Sequence, residues 1–451
     1  MEIYRIRESF VPERHTAVPL STNHLALLGK LITAEGAPLI RKFPKNESPD
    51  HYCLQVVRKA AEDYTFRTSY FVGVHWLIEN HLPVFIEPKF DVKGKDYLLD
   101  YNRMLLSAFQ HSDSLAHLSE LLHVDFEQSP ILIKQQDDLL SPLLIAQYLQ
   151  VLKRLVRKGL RNSYYRVSEN LHGKVKGKIL VAQTMRENHL RNKFLDSKCS
   201  YEVFGPDSLE NRILKKALSF SIHSLEGLKT VQTGLGELES IIRYVKPAFF
   251  AVGDQVDSSS IKAFRSNALF NEYSEALRLA GLILKRFGYS INKTTTQQVQ
   301  TPPFWIDMSK LFELHLLSQL KKIFPEKQEV RYQENVNKRI LDYLLCSKDG
   351  KIKMVIDAKY KDYSEKSSLD IEDIRQVSAY ARMTGVYKRL GLMENGQPLN
   401  QTIDCLIVYP DLENGLEEIT RKNIHDDLKS TSYFKLYTLG LKLPINPKKN
   451  P

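Results

Sequence analysis

Two aspartates and a lysine frame the chemistry. In the stretch RILDYLLCSKDGKIKMVIDAKYK, Arg339 to Lys361, Asp342 precedes the polar segment Ser347-Lys348-Asp349-Gly350, and Asp357 and Lys359 follow it. Apolar runs, Ile340 to Cys346 and Ile352 to Ile356, flank that segment. Asp-Gly between such runs predicts a hairpin closed by a type I′ turn. With the turn at Asp349-Gly350, Lys348 faces Lys351, and counting back puts Asp342 opposite Asp357. Opposed residues of an antiparallel pair have Cβ atoms about 4.5–5.5 Å apart on one face. Lys359, two residues beyond Asp357, shares that face. Carboxylates this close repel unless a cation lies between them or one takes a proton. Hard oxygen donors with open positions suit Mg²⁺ or Mn²⁺, an ion that positions water and offsets charge on a phosphate. The neighbouring ammonium can orient the water or neutralise developing phosphate charge. From the D-x-K tripeptide alone, a surface hairpin carrying ordinary charges remains the alternative.

The flanking elements bear on that choice. Upstream, Asp307 is placed as the N-cap of an amphipathic helix whose stripe is Leu311, Leu314, Leu317 and Leu320. Glu313 lies one turn in, where it can face a cluster in the sheet; otherwise it is a solvated helix glutamate. Glu329 to Glu334 reads as a strand. Downstream, Leu369 to Arg382 reads as a helix with Asp373, Gln376 and Tyr380 on one face. Gln376 and Tyr380 are suited to hydrogen-bond a phosphate or a base edge. A final strand, Ile403 to Tyr409, stops at Pro410. The order is helix, three strands, helix, strand, with the acids on the central hairpin.

That arrangement resembles the PD-(D/E)XK nuclease core of restriction endonucleases, with Leu341 in place of the usual proline. Gln376 to Tyr380 resembles the QxxxY helix of its RecB-like branch. The chain as a whole resembles the McrC family, nuclease subunits of McrBC-type modification-dependent restriction systems. The residues behind this are Ile306 to Glu313, Leu341-Asp342, Val355 to Lys361, Gln376 to Tyr380 and Ile407 to Pro410, with looser support from Tyr164-Tyr165, Gly173 to Gly177 and Glu210-Asn-Arg212. The resemblance implies an Mg²⁺-dependent DNA endonuclease in which Asp342, Asp357 and Glu313 hold metal. Lys359 would assist the attacking water, and Gln376 and Tyr380 would orient substrate or the lysine. It also implies a partner, a hexameric McrB-like AAA+ GTPase that binds modified double-stranded DNA and is stimulated through the part of this chain before the nuclease domain.

The whole chain sets bounds. At 451 residues it exceeds one typical core. The expected class is α+β multidomain: a β-rich N-terminal domain over 1–96, a mainly helical middle region over 97–292, and a nuclease α/β domain over 293–443. A net charge of +11 favours a polyanionic partner. Four scattered cysteines without C-x-x-C, and no signal peptide, point to a reduced, cytoplasmic protein. No apolar run approaches the roughly 20 residues a bilayer needs. The histidines show no H-E-x-x-H or zinc spacing, and G-x-S-x-G is missing. His172 to Lys178 (HGKVKGK) lacks P-loop spacing and reads as a basic loop. Lys153, Arg154, Arg157 and Lys158 suit the C-terminal end of a helix spanning Leu139 to Gly159, or phosphate contacts. Further helices start at Ser208 and near Phe270, and Lys293 to Pro303 (KTTTQQVQTPP) reads as an interdomain linker or boundary. Two other functions fit the same sequence: a non-catalytic adaptor of an AAA+ partner, and a stand-alone RecB-like exonuclease.

Overall fold

The computed structural model describes residues 3–447, except 10–20, 33–35, 37, 44–51, 61–62, 91–96, 109–116, 135–137, 139, 229–235, 257–270, 291–297, 362 and 364–368. The chain divides into two units: one formed by Met1–Leu140 with Thr295–Pro451, the other by Ser141–Thr294. The N-terminal segment and the expected nuclease domain therefore share one unit, which residues 97–140 also join.

The reason lies in one strand. Phe304–Asp307 inserts between Phe71–Ile78 and Leu122–Val124, in a five-stranded sheet completed by Leu82–Glu87 and Tyr4–Arg7. Phe304, Trp305 and Ile306 are buried there, and the Trp305 ring stacks on His75 at 5.4 Å. Gly73 permits the approach: it has φ +145°, and a Cβ there would meet the Phe304 carbonyl oxygen at 2.1 Å. Upstream, Gln298–Thr301 pairs antiparallel with Ile131–Lys134. The boundary expected over Lys293 to Pro303 falls there, since the units part between Thr294 and Thr295, but Gln298–Thr301 is a strand rather than a linker: its alternating Val299 and polar neighbours suit one, and the chain has one to pair with.

The second sheet of this unit has six strands, in the order Val330–Val336, Arg339–Cys346, Lys353–Ala358, Asp404–Pro410, Leu436–Leu441, Lys429–Ser430. The first three run antiparallel; Lys353–Ala358, Asp404–Pro410 and Leu436–Leu441 are parallel. Parallel strands are covered on both faces, so Val355, Ile356, Leu406, Ile407 and Val408 are buried in near-continuous runs. The helix Ile371–Ala381 contributes Ile374, Val377 and Ala381 to the core on one side. The helix Met308–Ile323 belongs to the other. Asp307 caps it as expected, and its buried face is wider than the leucine stripe: Phe312, His315 and Leu316, off that stripe, are buried as well. The N-terminal segment supplies the second cover, with Ser107 Oγ 2.5 Å from His315 Nδ1.

The other unit is helical in Leu140–Lys158, Leu209–Leu228 and Asn271–Ser290, but not throughout. Ser163–His172 pairs along its whole length with Asp196–Gly205, and Lys178–Ile179 adds a third strand. The residues read as a basic loop from His172 onward thus begin within a sheet. Both of its faces are largely exposed, so the polar alternation of SYYRVSENLH carried little strand signal. All four cysteines are free thiols. Among the described residues, no helix is long and apolar enough to cross a membrane.

Candidate active site

The hairpin that carries the acids keeps the expected register by another turn. Tyr343 faces Ile356, and Cys346 faces Lys353. The strands close at Ser347 and Ile352, joined by a 2.9 Å hydrogen bond from the Ser347 amide to the Ile352 carbonyl. Gly350 has φ +69°, whereas Asp349 does not enter positive φ, so the turn is not type I′. Asp349 Oδ1 instead accepts from Ser347 Oγ and the Lys351 amide, and the Gly350 amide donates to the Ser347 carbonyl at 2.8 Å. This wider four-residue reversal spans the same pair as a two-residue one, so counting from either places Asp342 opposite Asp357.

The side chains converge. Asp342 Oδ2 accepts from the Ala358 amide at 2.9 Å, which ties the first acid to the residue after the second. The Lys359 amide donates to the Val408 carbonyl at 2.8 Å and so extends the parallel ladder by one step. Lys359 Nζ lies 2.8 Å from Asp357 Oδ2 and donates to Gln376 Oε1 at 2.9 Å. Gln376 Nε2 donates in turn to the Tyr380 hydroxyl at 3.0 Å. A single polar chain therefore runs from the buried acid to the outer face of the helix. Both oxygens of Asp357 are buried without a hydrogen bond; the Lys359 contact is an ion pair.

Glu313 sits beside the acids but is held from elsewhere. Tyr332 donates to its Oε2 at 2.9 Å, and Lys310 Nζ lies 3.5 Å from the same oxygen. Lys310 also reaches Glu120 at 3.1 Å and lies over the Tyr332 ring. Among the described residues, no three His, Cys, Asp or Glu side chains close into a coordination set. Asp342 and Asp357 are the close pair, and Lys310 with Tyr332 restrains the third acid.

The electrostatics follow from this crowding. Burial, with the charge of Glu313, pushes the Asp342 carboxyl up to about 7. Burial and the Asp342 charge, opposed by Lys359, push Asp357 up to about 7 as well. Glu313 is also raised, chiefly by burial. Lys359 is pulled down by burial but carried above its ordinary value by Asp357, Asp342 and Asp373, so it stays an ammonium. Two buried acids that resist ionising, with Lys359 as the ammonium paired to Asp357, are what a divalent cation relieves. The donor set fits Mg²⁺ or Mn²⁺, which take oxygen ligands and, for Mg²⁺, keep several waters.

Six residues singled out from sequence, Glu313, Asp342, Asp357, Lys359, Gln376 and Tyr380, lie together. Sequence reasoning left out Tyr332 and Lys310, which hold Glu313, Glu120, which pairs with Lys310, and Lys361 and Tyr363, whose side chains reach Asp373. The lysine alternation in Ala358-Lys-Tyr-Lys361 was a usable signal for Lys361. Nothing local marks Glu120, which arrives from the N-terminal segment.

The family described as McrBC 5-methylcytosine restriction system component matches residues 67–392. No curated protein matches. Among solved structures, a half-complex of the tetradecameric assembly of Thermococcus gammatolerans McrB AAA+ hexamers with bound McrC is 17% identical, with TM-score 0.36, over 85% of this chain and 79% of that one. The cryo-EM structure of the Thermococcus gammatolerans McrBC complex is 15% identical, with TM-score 0.28, over 74% of this chain and 90% of that one. The family match spans well over half of the chain, including the acids, the lysine and the Gln376 to Tyr380 helix, and the chain belongs to the McrBC 5-methylcytosine restriction system component family.

Proposed function

We propose that the chain is the Mg²⁺-dependent DNA endonuclease subunit of its restriction system, cutting phosphodiester bonds of modified double-stranded DNA when assembled with an McrB-like AAA+ GTPase hexamer that it stimulates. The observation that carries this reading is the meeting of Asp342, Asp357 and Lys359 on one sheet face, with both Asp357 oxygens buried and without a hydrogen bond.

Asp342 and Asp357 would hold the ion, and Glu313 would hold a third position or a metal-bound water. A bound Mg²⁺ supplies charge stabilisation at the phosphate and lowers the pKa of water. Lys359, kept protonated, donates toward the attacking water or a phosphate oxygen. It acts as a positioning and charge-neutralising group rather than as a base. Gln376 restrains that ammonium, and Tyr380 restrains Gln376.

The second unit supports the partner reading. It exposes Tyr164, Val181, Leu190, Phe194, Leu195 and Phe204 amid Lys174, Lys176, Arg186, Arg191 and Lys193, and exposed apolar side chains on this scale mark interaction surfaces. Asp357→Ala or Lys359→Ala should lower cleavage of 5-methylcytosine plasmid by about 10²-fold or more, with co-purification and GTPase stimulation unchanged. Cleavage retained by both variants would remove the nuclease assignment and leave an AAA+ adaptor.

A further inference from the structure

The cleavage chemistry proposed above engages Gln376 and Tyr380 from one helix face but leaves Asp373, one turn earlier, without a task. Asp373 is 4% exposed. Its two oxygens accept from Lys361 Nζ at 2.9 and 2.6 Å, and the Tyr363 hydroxyl donates to Oδ2. Lys359 Nζ lies 4.0 Å from Oδ1. Lys361 also reaches Asp370, the N-cap of the same helix, at 3.3 Å. One buried carboxylate thus joins the helix carrying Gln376 to the second and fourth residues after Lys359.

The backbone makes that connection rigid. The Lys361 amide donates to the Lys359 carbonyl at 2.8 Å, so the chain leaves the strand through a tight turn centred on Tyr360. Lys89 donates to the Tyr360 carbonyl at 2.6 Å and fixes the turn from the other side. A side chain that fixes Lys361 therefore also fixes where Lys359 starts. The Lys359 ammonium, meanwhile, rests between acceptors from two elements: Asp357 on the sheet, and Gln376 and Asp373 on the helix.

We propose that Asp373 is a positioning residue for Lys359, resting on the nuclease reading above: it clamps Lys361 and Tyr363 to the Gln376 helix and so holds the ammonium at its working place. A misplacement of the order of 1 Å at a reacting centre costs about 10²-fold in rate. A carboxylate that only added stability would change melting and leave the ammonium where it is.

Two readouts on the full-length chain separate these cases. The first is amine acylation of Lys359, followed by mass spectrometry on the free chain without metal. The second is the rate of cutting 5-methylcytosine plasmid at saturating Mg²⁺ with the co-purifying AAA+ protein. In the near-isosteric Asp373→Asn, acylation of Lys359 should rise on the order of threefold, as expected when one ordered side chain is released. Where wild type cuts, kcat should fall by about tenfold or more, with KM for DNA little changed. Lys361→Met, which leaves Asp373 in place, should reproduce part of both effects. Lys359 acylated at the wild-type rate in Asp373→Asn, together with wild-type kcat, overturns the proposal. If Asp357→Ala cuts as well as wild type, the nuclease reading falls, and the acylation readout alone decides the role of Asp373.

Discussion

At the scale of single residues, the site is a balance of charge that its own protons distort. The folded-state carboxyls of Asp342 and Asp357 lie at about 7 against ordinary values of 3.8. A raised carboxyl contributes stability fully below its unfolded value, and that contribution is lost as pH rises through the folded value. The metal-free protein should therefore lose stability between about pH 4 and 7 on account of this pair. If the ionised acids take Mg²⁺ as proposed, the ion should raise the melting temperature by about 2 °C more at pH 8 than at pH 5. Asp342→Asn should raise melting of the metal-free protein at pH 8 and abolish most of that Mg²⁺ response. Differential scanning fluorimetry checks both; an equal Mg²⁺ shift at the two pH values contradicts the assignment.

At the scale of elements, the register of the acid hairpin was legible because a two-residue turn at Asp349-Gly350 and the four-residue reversal between Ser347 and Ile352 share one centre and hence one pairing sum. The helix Met308–Ile323, the three strands after it, the helix Ile371–Ala381 and the strand Asp404–Pro410 were legible from apolar periodicity, but that strand is not the final one expected: Leu436–Leu441 follows and pairs parallel beside it. Two features were not. Ser163–His172 and Asp196–Gly205 bury little beyond Leu171, Cys199 and Gly205, so no buried face imposed a period of two. Lys310, Tyr332 and Glu120 act through contacts between distant segments, which spacing cannot report. Gly73 is an element-scale test. Gly73→Ala would set a Cβ against the Phe304 carbonyl at a backbone angle that favours glycine. It should cost about 2 kcal/mol or more, read as a lower denaturant midpoint for the whole first unit.

At the scale of the molecule, the C-terminal half is not a separable module. Phe304–Asp307 is an internal strand of the N-terminal sheet and leads straight into the helix that bears Glu313. A fragment spanning Thr295–Pro451 should expose Trp305 and the buried flank of that helix. It should collect in the insoluble fraction or show little protection from hydrogen exchange, whereas the full chain is protected. A soluble, protected fragment would show that the N-terminal sheet is dispensable for the C-terminal fold.

The same inserted strand sets a timetable for synthesis. When Phe71–Ile78 leaves the ribosome, its partner Phe304–Asp307 is still roughly 225 residues downstream in the message, a wait on the order of 10–50 s at ordinary elongation rates. Through that interval an apolar strand edge stands open, the kind of edge that recruits stray strands. Nascent-chain holding factors are thus expected to engage this protein between its eighth and thirty-first decades of residues, and the acid pair is synthesised only after the strand that closes that edge.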